Sequence, residues 1–531
     1  MKEGFPLETG SYRRGFWLEL AAAWLRNAFV NNRVPFLSAL ITGFLAHGFA
    51  FANKLVGYDE VGSLFNKGTT ASSGRWGLDL LRFLFPDFSM PWIYGILSVV
   101  LLSVAACVIV RTFRIRSKVL QALAAGSILA FPSLTATVIY LYTLSSYAVS
   151  FLLAVLAVWL LQRNSWKAWL TALVLMVFSL GIYQAYISIP ASLLVLVLIQ
   201  ELLQDGSFWP VVKKGLFFLA FLILSLLGYL AVTQIFNILS GVELNSYANA
   251  RISFSLSYLP TGIYEAYVAF YRFFSIGMWG LLPNPWSQIV HVVCIAAVVV
   301  LLFLWLLQKK RPGLELALLG VLIAILPLAI NCMYLFVTAD PSLCAIHTLV
   351  LYGFITVYVF AAVVADVCDL PALFAGRKGI FNGCAQNVLL LGMLLSLVIN
   401  IYTANSLYLS LHLRYENAYA FYTSLLSDMR QQPGYDSDTR LALIGDYEEA
   451  SFYEDELGHL YRIMGADGFQ PDSHSNWFFL YYYLGLRVPF AEEEECVRIA
   501  SSEEFAQMPV YPYHGSIRML GDILVVKFSN P

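Results

Sequence analysis

The sequence predicts a polytopic α-helical membrane protein that carries an α+β unit at its C-terminal end. Three observations lead there. The 531 residues are 59% hydrophobic and 12% charged, with a mean hydropathy of +0.70, and soluble domains carry about twice that charge fraction. Apolar runs recur through the first 405 residues, each near the ~20 residues one helix needs to cross ~30 Å of hydrocarbon. Beyond them the chain turns acidic: residues 406–531 hold 19 of the 34 Asp and Glu but 8 of the 32 Lys and Arg, a net charge of −11 against +9 for residues 1–405. Helices are the default spanning element because backbone polar groups must be satisfied inside the bilayer. The alternation of a membrane β-barrel is absent.

The chain opens on Lys2, Glu3, Glu8, Arg13 and Arg14, which does not read as a cleavable signal peptide. Arg13 to Asn32 then places Trp17, Leu18, Leu20, Ala21, Trp24 and Leu25 at helical spacing, as in an amphipathic helix lying at the membrane interface. About eleven spans follow, near 34–53, 92–110, 119–141, 145–162, 168–183, 186–204, 215–239, 287–308, 314–337, 346–368 and 385–405. Basic clusters fall in alternate connections: Arg13-Arg14 with Arg26 and Arg33, Arg111 to Lys118, Arg163 with Lys167, Lys213-Lys214, Lys309 to Arg311, and Arg377-Lys378. The positive-inside rule then puts the N-terminus in the cytoplasm. Loops 54–91 and 240–286, the turn near Gln184, the loop 338–345 and everything after Tyr408 fall outside.

Three parts result: a cytoplasmic and interfacial segment 1–33, a transmembrane part 34–405, and an extracytoplasmic domain 406–531. The last is long enough for its own core. It shows helix-like stretches at Tyr415–Arg430 and Glu449–Met464, a short apolar run at 441–445 and a strand pattern at Ile523–Val526. Glu492 to Glu495 reads as a solvated charge run. The seven cysteines are scattered with no metal-ligand spacing. No nucleotide-binding motif appears, and nothing suggests nucleic acid.

Polar residues on the outer side carry the functional signal. Asp59 and Glu60 lie at the mouth of the first span, and carboxylates at a membrane face tend to mark function. The plain alternative is a pair of solvated loop charges, and adjacent residues need not point the same way. The pair could also hold a divalent metal, on which the residues do not decide. Gly74 to Pro86 is too short to span. It reads as an outer interfacial helix with Trp76 as a surface anchor, and with Arg75 able to meet a phosphate bidentately or simply to pair with Asp79. Tyr183, Gln184 and Tyr186, in the turn between the fifth and sixth spans, are placed to hydrogen-bond sugar hydroxyls or to form an aromatic belt. Arg251, Glu265 and Arg272 stand among aromatics in loop 240–286, where a phosphate-and-sugar head group or lipid head groups would suit them. His347 beside Asp340 is an isolated candidate.

Tyr58-Asp59-Glu60, Gly74-Arg75-Trp76-Gly77, Gly181-Ile182-Tyr183-Gln184-Ala185-Tyr186 and the late Tyr511-Pro512-Tyr513-His514-Gly515-Ser516-Ile517 resemble the bacterial membrane glucosyltransferases first associated with O-antigen serotype conversion. The resemblance covers most of the chain. It implies a GT-C-like fold with the active site in the first outer loop. It also implies a hexose, usually glucose, moved from a polyprenyl-phosphate donor to a cell-surface glycan or its lipid-linked precursor. On this chain the base falls to Asp59 or Glu60. A polyprenyl phosphate is already a good leaving group, so a carboxylate base and arginines facing the departing phosphate suffice, and a single displacement inverts the anomeric centre. A transporter or flippase of lipid-linked glycans would place its charges deep within the spans. A glycan polymerase or ligase shares the substrate class.

Overall fold

The computed structural model describes residues 12–65, 70–86, 88–244, 256–275, 285–309, 311–336, 348–368, 377–447 and 473–530. Ten of its helices are long and apolar enough to cross a membrane, and an eleventh apolar helix, Trp166–Ile182, is shorter at 17 residues. The chain is a multi-pass, mostly helical membrane protein with a small C-terminal region that contains strands.

The interfacial segment and the first span form one helix, α1 (Tyr12–Ala52), broken at Asn32 where the backbone leaves helical angles. Pro35 falls in the first turn after that break, where a missing N–H costs little. Two short helices, α2 (Tyr58–Gly62) and α3 (Trp76–Leu81), occupy the following loop. Next come α4 (Pro91–Thr112), α5 (Lys118–Leu129) and α6 (Pro132–Ile139). The expected single span 119–141 is therefore bent. Pro132 cannot donate to the preceding turn, and Phe131 before it is forced extended, at φ −66° and ψ 138°. The chain continues as α7 (Leu141–Leu161), α8 (Trp166–Ile182), α9 (Ser188–Leu203) and α10 (Phe208–Ser240). α1 packs on α4 and α5, α4 on α7, and α7 on α8.

The buried polar groups are satisfied along these contacts. His47, fully buried in α1, lies 2.7 Å from the Leu129 carbonyl and 2.8 Å from the Tyr408 hydroxyl. A carbonyl only accepts, so Nε2 carries the proton and Nδ1 accepts from Tyr408. At one end of the bundle Asp366 accepts from the Arg116 and Ser117 backbone N–H groups and from the Arg116 guanidinium. Lys309 and Arg311 pair with Asp205 at the same end. These are the connections that the charge alternation assigns to one side. The loop of α2 and α3 lies at the other end of α1.

The last apolar helix does not stop at 405. It runs as one element from Arg377 to Arg430 and ends just before Pro433 and Gly434, the latter at φ +89°. The expected helix 415–430 is thus its continuation into the tail. Three strands follow in the order β1-β3-β2: β1 (Arg440–Ile444), β2 (Ile517–Leu520) and β3 (Ile523–Lys527). β3 pairs parallel to β1 and antiparallel to β2 across the two-residue turn Gly521-Asp522. It is buried along its whole length, with Leu524 and Val526 facing one apolar cluster and Ile523 and Val525 another, as a two-residue side-chain period requires. The expected helix 449–464 lies outside the described residues. Glu492 to Glu494 are exposed, as expected of a solvated charge run, and the run also has a structural part. It opens the helix Glu493–Ala500 through a capping box, and Glu495 also pairs with Arg440.

Candidate functional site

Lys54, at the end of α1, and Glu60, in α2, define one corner of the site. Gly57 is extended and starts α2, and neighbours on a helix diverge by about 100°. Asp59 is accordingly exposed while Glu60 is buried. The Glu60 carboxylate takes the Lys54 ammonium and the Ser89 hydroxyl, and Lys54 also donates to Ser89 at 3.0 Å. Burial pushes the Glu60 carboxyl up, and Lys54 and Ser89 pull against it. The two carboxylates therefore do not act as a matched pair.

The second corner is Arg75, just before α3. Its guanidinium donates to the Tyr147 hydroxyl at 3.3 Å and lies 5.3 Å from the centre of the Tyr183 ring. Tyr147 stacks on Tyr183 at 4.2 Å, and Tyr186 meets Tyr183 edge-on at 5.0 Å. Asp79 is engaged by Thr70 at 2.6 Å and by Arg82. Tyr142, in the first turn of α7, is within electrostatic range of Asp59, Glu60 and Arg75 together.

The loop is fixed by a short network. Gly74 adopts φ +72°, and a Cβ there would come within 2.7 Å of the Tyr229 hydroxyl, so glycine is needed on both counts. Tyr229 donates to the Gly74 carbonyl at 3.1 Å, and the Gln184 amide donates to the Ser73 carbonyl and the Tyr229 hydroxyl at 3.0 and 2.9 Å. Gln184 is thus engaged in holding the Arg75 loop. Trp76 is not a surface anchor. It is 5% exposed, wedged between Phe178 and Phe236, with its ring over Gly181.

Glu265 lies elsewhere, half-buried on the helix Leu259–Ser275, which packs on Pro285–Gln308, Gly313–Ile330 and the turn Cys332–Leu335. Arg272 belongs to the same helix, and its side chain lies outside the described residues, as do Arg251, Asp340 and His347. Among the described residues no three His, Cys, Asp or Glu side chains converge to hold a metal ion.

The C-terminal region closes over this loop. Val56 and Val61, on either side of Asp59 and Glu60, belong to one apolar cluster with Tyr422, Phe479, Leu480 and Tyr511. Phe478 packs directly on Gly62, and Phe65 on Tyr482.

Sequence reasoning missed Lys54, Ser89, Tyr142, Tyr147 and Tyr229. Only Lys54 left a signal: it is a cation at the end of a span where the charge pattern places none. The hydroxyl groups are indistinguishable in sequence from the other serines and tyrosines in and beside the spans.

At one end of a bundle of apolar helices the loop after α1 thus brings a carboxylate and a guanidinium beside tyrosines of α7 and of the turn after α8. The chain matches the family model described as "Glucosyl transferase GtrII" over residues 48–359, more than half its length, and it belongs to that family. Glucosyltransferase activity comes with the membership. All of the loop network lies inside the matched stretch. No curated protein and no solved structure matches the chain.

Proposed function

We propose that this chain moves glucose from a polyprenyl-phosphate carrier to a cell-surface glycan, or to that glycan's lipid-linked precursor, on the outer face of the cytoplasmic membrane. The observation that carries the reading is the exposed carboxylate of Asp59 in the same loop as the Arg75 guanidinium, which Tyr147 and Tyr183 hold. In this reading the acceptor hydroxyl oxygen attacks the anomeric carbon and gives its proton to Asp59. The bond from that carbon to the phosphate oxygen breaks, and the carrier leaves as polyprenyl phosphate. Arg75 meets the charge that collects on it, an interaction stronger in the transition state than in the bound donor. One displacement inverts the anomeric centre. Glu60, tied to Lys54 and Ser89, positions the segment that carries Asp59. Tyr183 and Tyr186, expected from the sequence to meet the sugar or to form an aromatic belt, are instead buried with Tyr147 against one another, and Tyr147 and Tyr183 hold the Arg75 guanidinium in place.

The test is transfer by the purified chain in lipid, with labelled polyprenyl-phosphate glucose and a surface glycan lacking the branch. Lipid-donor-dependent transfer that Asp59→Asn abolishes is the expected result. Transfer from a nucleotide sugar with none from the lipid donor overturns the donor class. The outer-face placement has its own check. A cysteine at exposed Tyr513 should react with a membrane-impermeant maleimide before the cytoplasm is opened, and reaction only afterwards reverses the orientation.

A further inference from the structure

A polar cleft in the C-terminal region takes no part in the site above. Its volume is about 430 Å³. One wall is Asp428 in the last turn of the long helix with Gln431 and Gln432 just past its end, and the other is the loop Tyr511–Arg518. It lies beyond residue 359, outside the stretch that matches the family model.

The loop is pinned from behind. The Tyr511 hydroxyl donates to Asp428 at 3.0 Å, the Tyr511 N–H to the Lys527 carbonyl at 2.8 Å, and the Lys527 N–H to the Ser516 carbonyl at 3.0 Å. Gly515 turns the chain at φ +92° beneath the Arg518 guanidinium. These bonds fix the loop, while Tyr513, His514 and Arg518 remain exposed, Tyr513 at 64%. A large exposed ring on a braced loop has its conformational cost already met, which favours binding.

The lining says what would fit. Asp428 and Arg518 carry opposite charges, and Gln431 and Gln432 are neutral, so the cleft is not built for an anion. It is too polar for a lipid tail. The glutamine amides and the imidazole offer both donors and acceptors, the guanidinium donors alone, and the Tyr513 ring offers a flat apolar face. A pyranose presents the same two things: hydroxyls around its rim and C–H bonds on its faces.

We propose that this cleft is a saccharide-binding site that holds the acceptor glycan. The proposal rests on the glycan-directed reading of the loop site. Tyr511 and Ile517, which line the cleft, share their apolar cluster with Val56 and Val61 beside Asp59. A glycan seated here is therefore tethered to the unit that docks on the loop, which raises its local concentration there.

The experiment uses the full chain in lipid nanodiscs and oligosaccharides released from the surface polysaccharide of cells deleted for this protein. Binding is read by saturation-transfer NMR and transfer by product formation. Tyr513→Ala and Arg518→Ala should each raise the acceptor KM about tenfold, the scale of one lost aromatic or charged contact, with turnover at saturating acceptor within about twofold, and Tyr513→Trp should restore the KM. Unchanged KM and binding in both Ala variants overturn the proposal. Binding that Tyr513→Ala abolishes, in a chain that shows no transfer, upholds the cleft and defeats the transferase reading. Transfer without any glycan contact at the cleft does the reverse. Equal thermal midpoints of variants and parent, with Tyr513→Trp as a second variant, separate loss of the cleft from misfolding.

Discussion

Lys54 and Glu60 form an ion pair that joins the end of the first span to the loop carrying Asp59. Glu60 is buried, and the Lys54 side chain is 21% exposed. The pair separates two adjacent carboxylates: Glu60 is taken up in holding the loop, and Asp59 is left exposed.

Removing Lys54 leaves the Glu60 carboxylate buried without its counter-charge. Lys54→Met should cost about 3 kcal/mol at neutral pH, the low end for a broken buried pair because Lys54 is partly exposed. The pH dependence has a definite sign. A carboxyl whose folded value is raised contributes stability that is full below its unfolded value of 4.5 and is lost as pH rises through the folded value. In Lys54→Met the opposing cation is gone, so the folded value rises further. The deficit in thermal midpoint should be largest at neutral pH and shrink as the buffer is taken toward pH 5. A deficit that does not change with pH would mean that Glu60 is not the group left exposed to the penalty.

Asp59 and Glu60 should therefore separate on substitution. Asp59→Asn touches an exposed side chain. It should lower turnover by about 10²–10⁴-fold, the usual loss of a general base, with membrane abundance and thermal midpoint unchanged. Glu60→Gln should lower the midpoint and affect transfer mainly through the loop. Turnover of Asp59→Asn within a fewfold of the parent would remove Asp59 as the base.

Arg75 should not tolerate lysine. Its guanidinium both donates to Tyr147 and lies against the Tyr183 ring, and an ammonium cannot supply the planar fork that also meets a phosphate. Arg75→Lys should reduce turnover as well as donor affinity, because extra charge on the departing phosphate is absent in the bound donor and develops in the transition state. Initial rates over a range of donor concentrations measure this. Normal turnover with only a raised donor KM would reduce Arg75 to a binding contact.

Much of this architecture was legible in the sequence because apolar length and charge alternation are local signals. The apolar runs mark the helices that the structure describes, whereas the bend at Pro132 within the expected span 119–141 went unread. What failed was non-local or ambiguous. A drop in hydropathy near 405 was read as the end of a helix, but leaving an apolar environment does not break helical hydrogen bonding. The helix continues until Pro433-Gly434 stops it. Trp76 has the amphipathic ring of an interfacial anchor, and only Gly181, more than a hundred residues later, provides the gap that buries it. Gln184 reads as a sugar ligand until Ser73 and Tyr229 are seen to take its amide. Lys54, Ser89 and Tyr142 come from three segments, and nothing in any one segment announces the others.

The contact between α3 and the end of α8 yields a test that substitutes no candidate site residue. A Cβ on Gly77 would lie 2.8 Å from the Gly181 carbonyl carbon and the Ile182 nitrogen, and one on Gly181 would lie 2.3 Å from the Trp76 ring. The first obstacle is backbone, which cannot rotate aside, so α3 must lift away from α8. Overpacking of this kind costs about 1–3 kcal/mol. Arg75 precedes α3 by one residue and follows it, and the Tyr147 and Tyr183 contacts loosen. Gly77→Ala should therefore insert normally, show a lower thermal midpoint, and lose transfer far beyond what the drop in stability explains. Gly313→Ala is the control: a Cβ there meets nothing within 4 Å, and its transfer rate and midpoint should match the parent. Equal behaviour of the two variants would show that the close approach of Gly77 to Gly181 does not position Arg75.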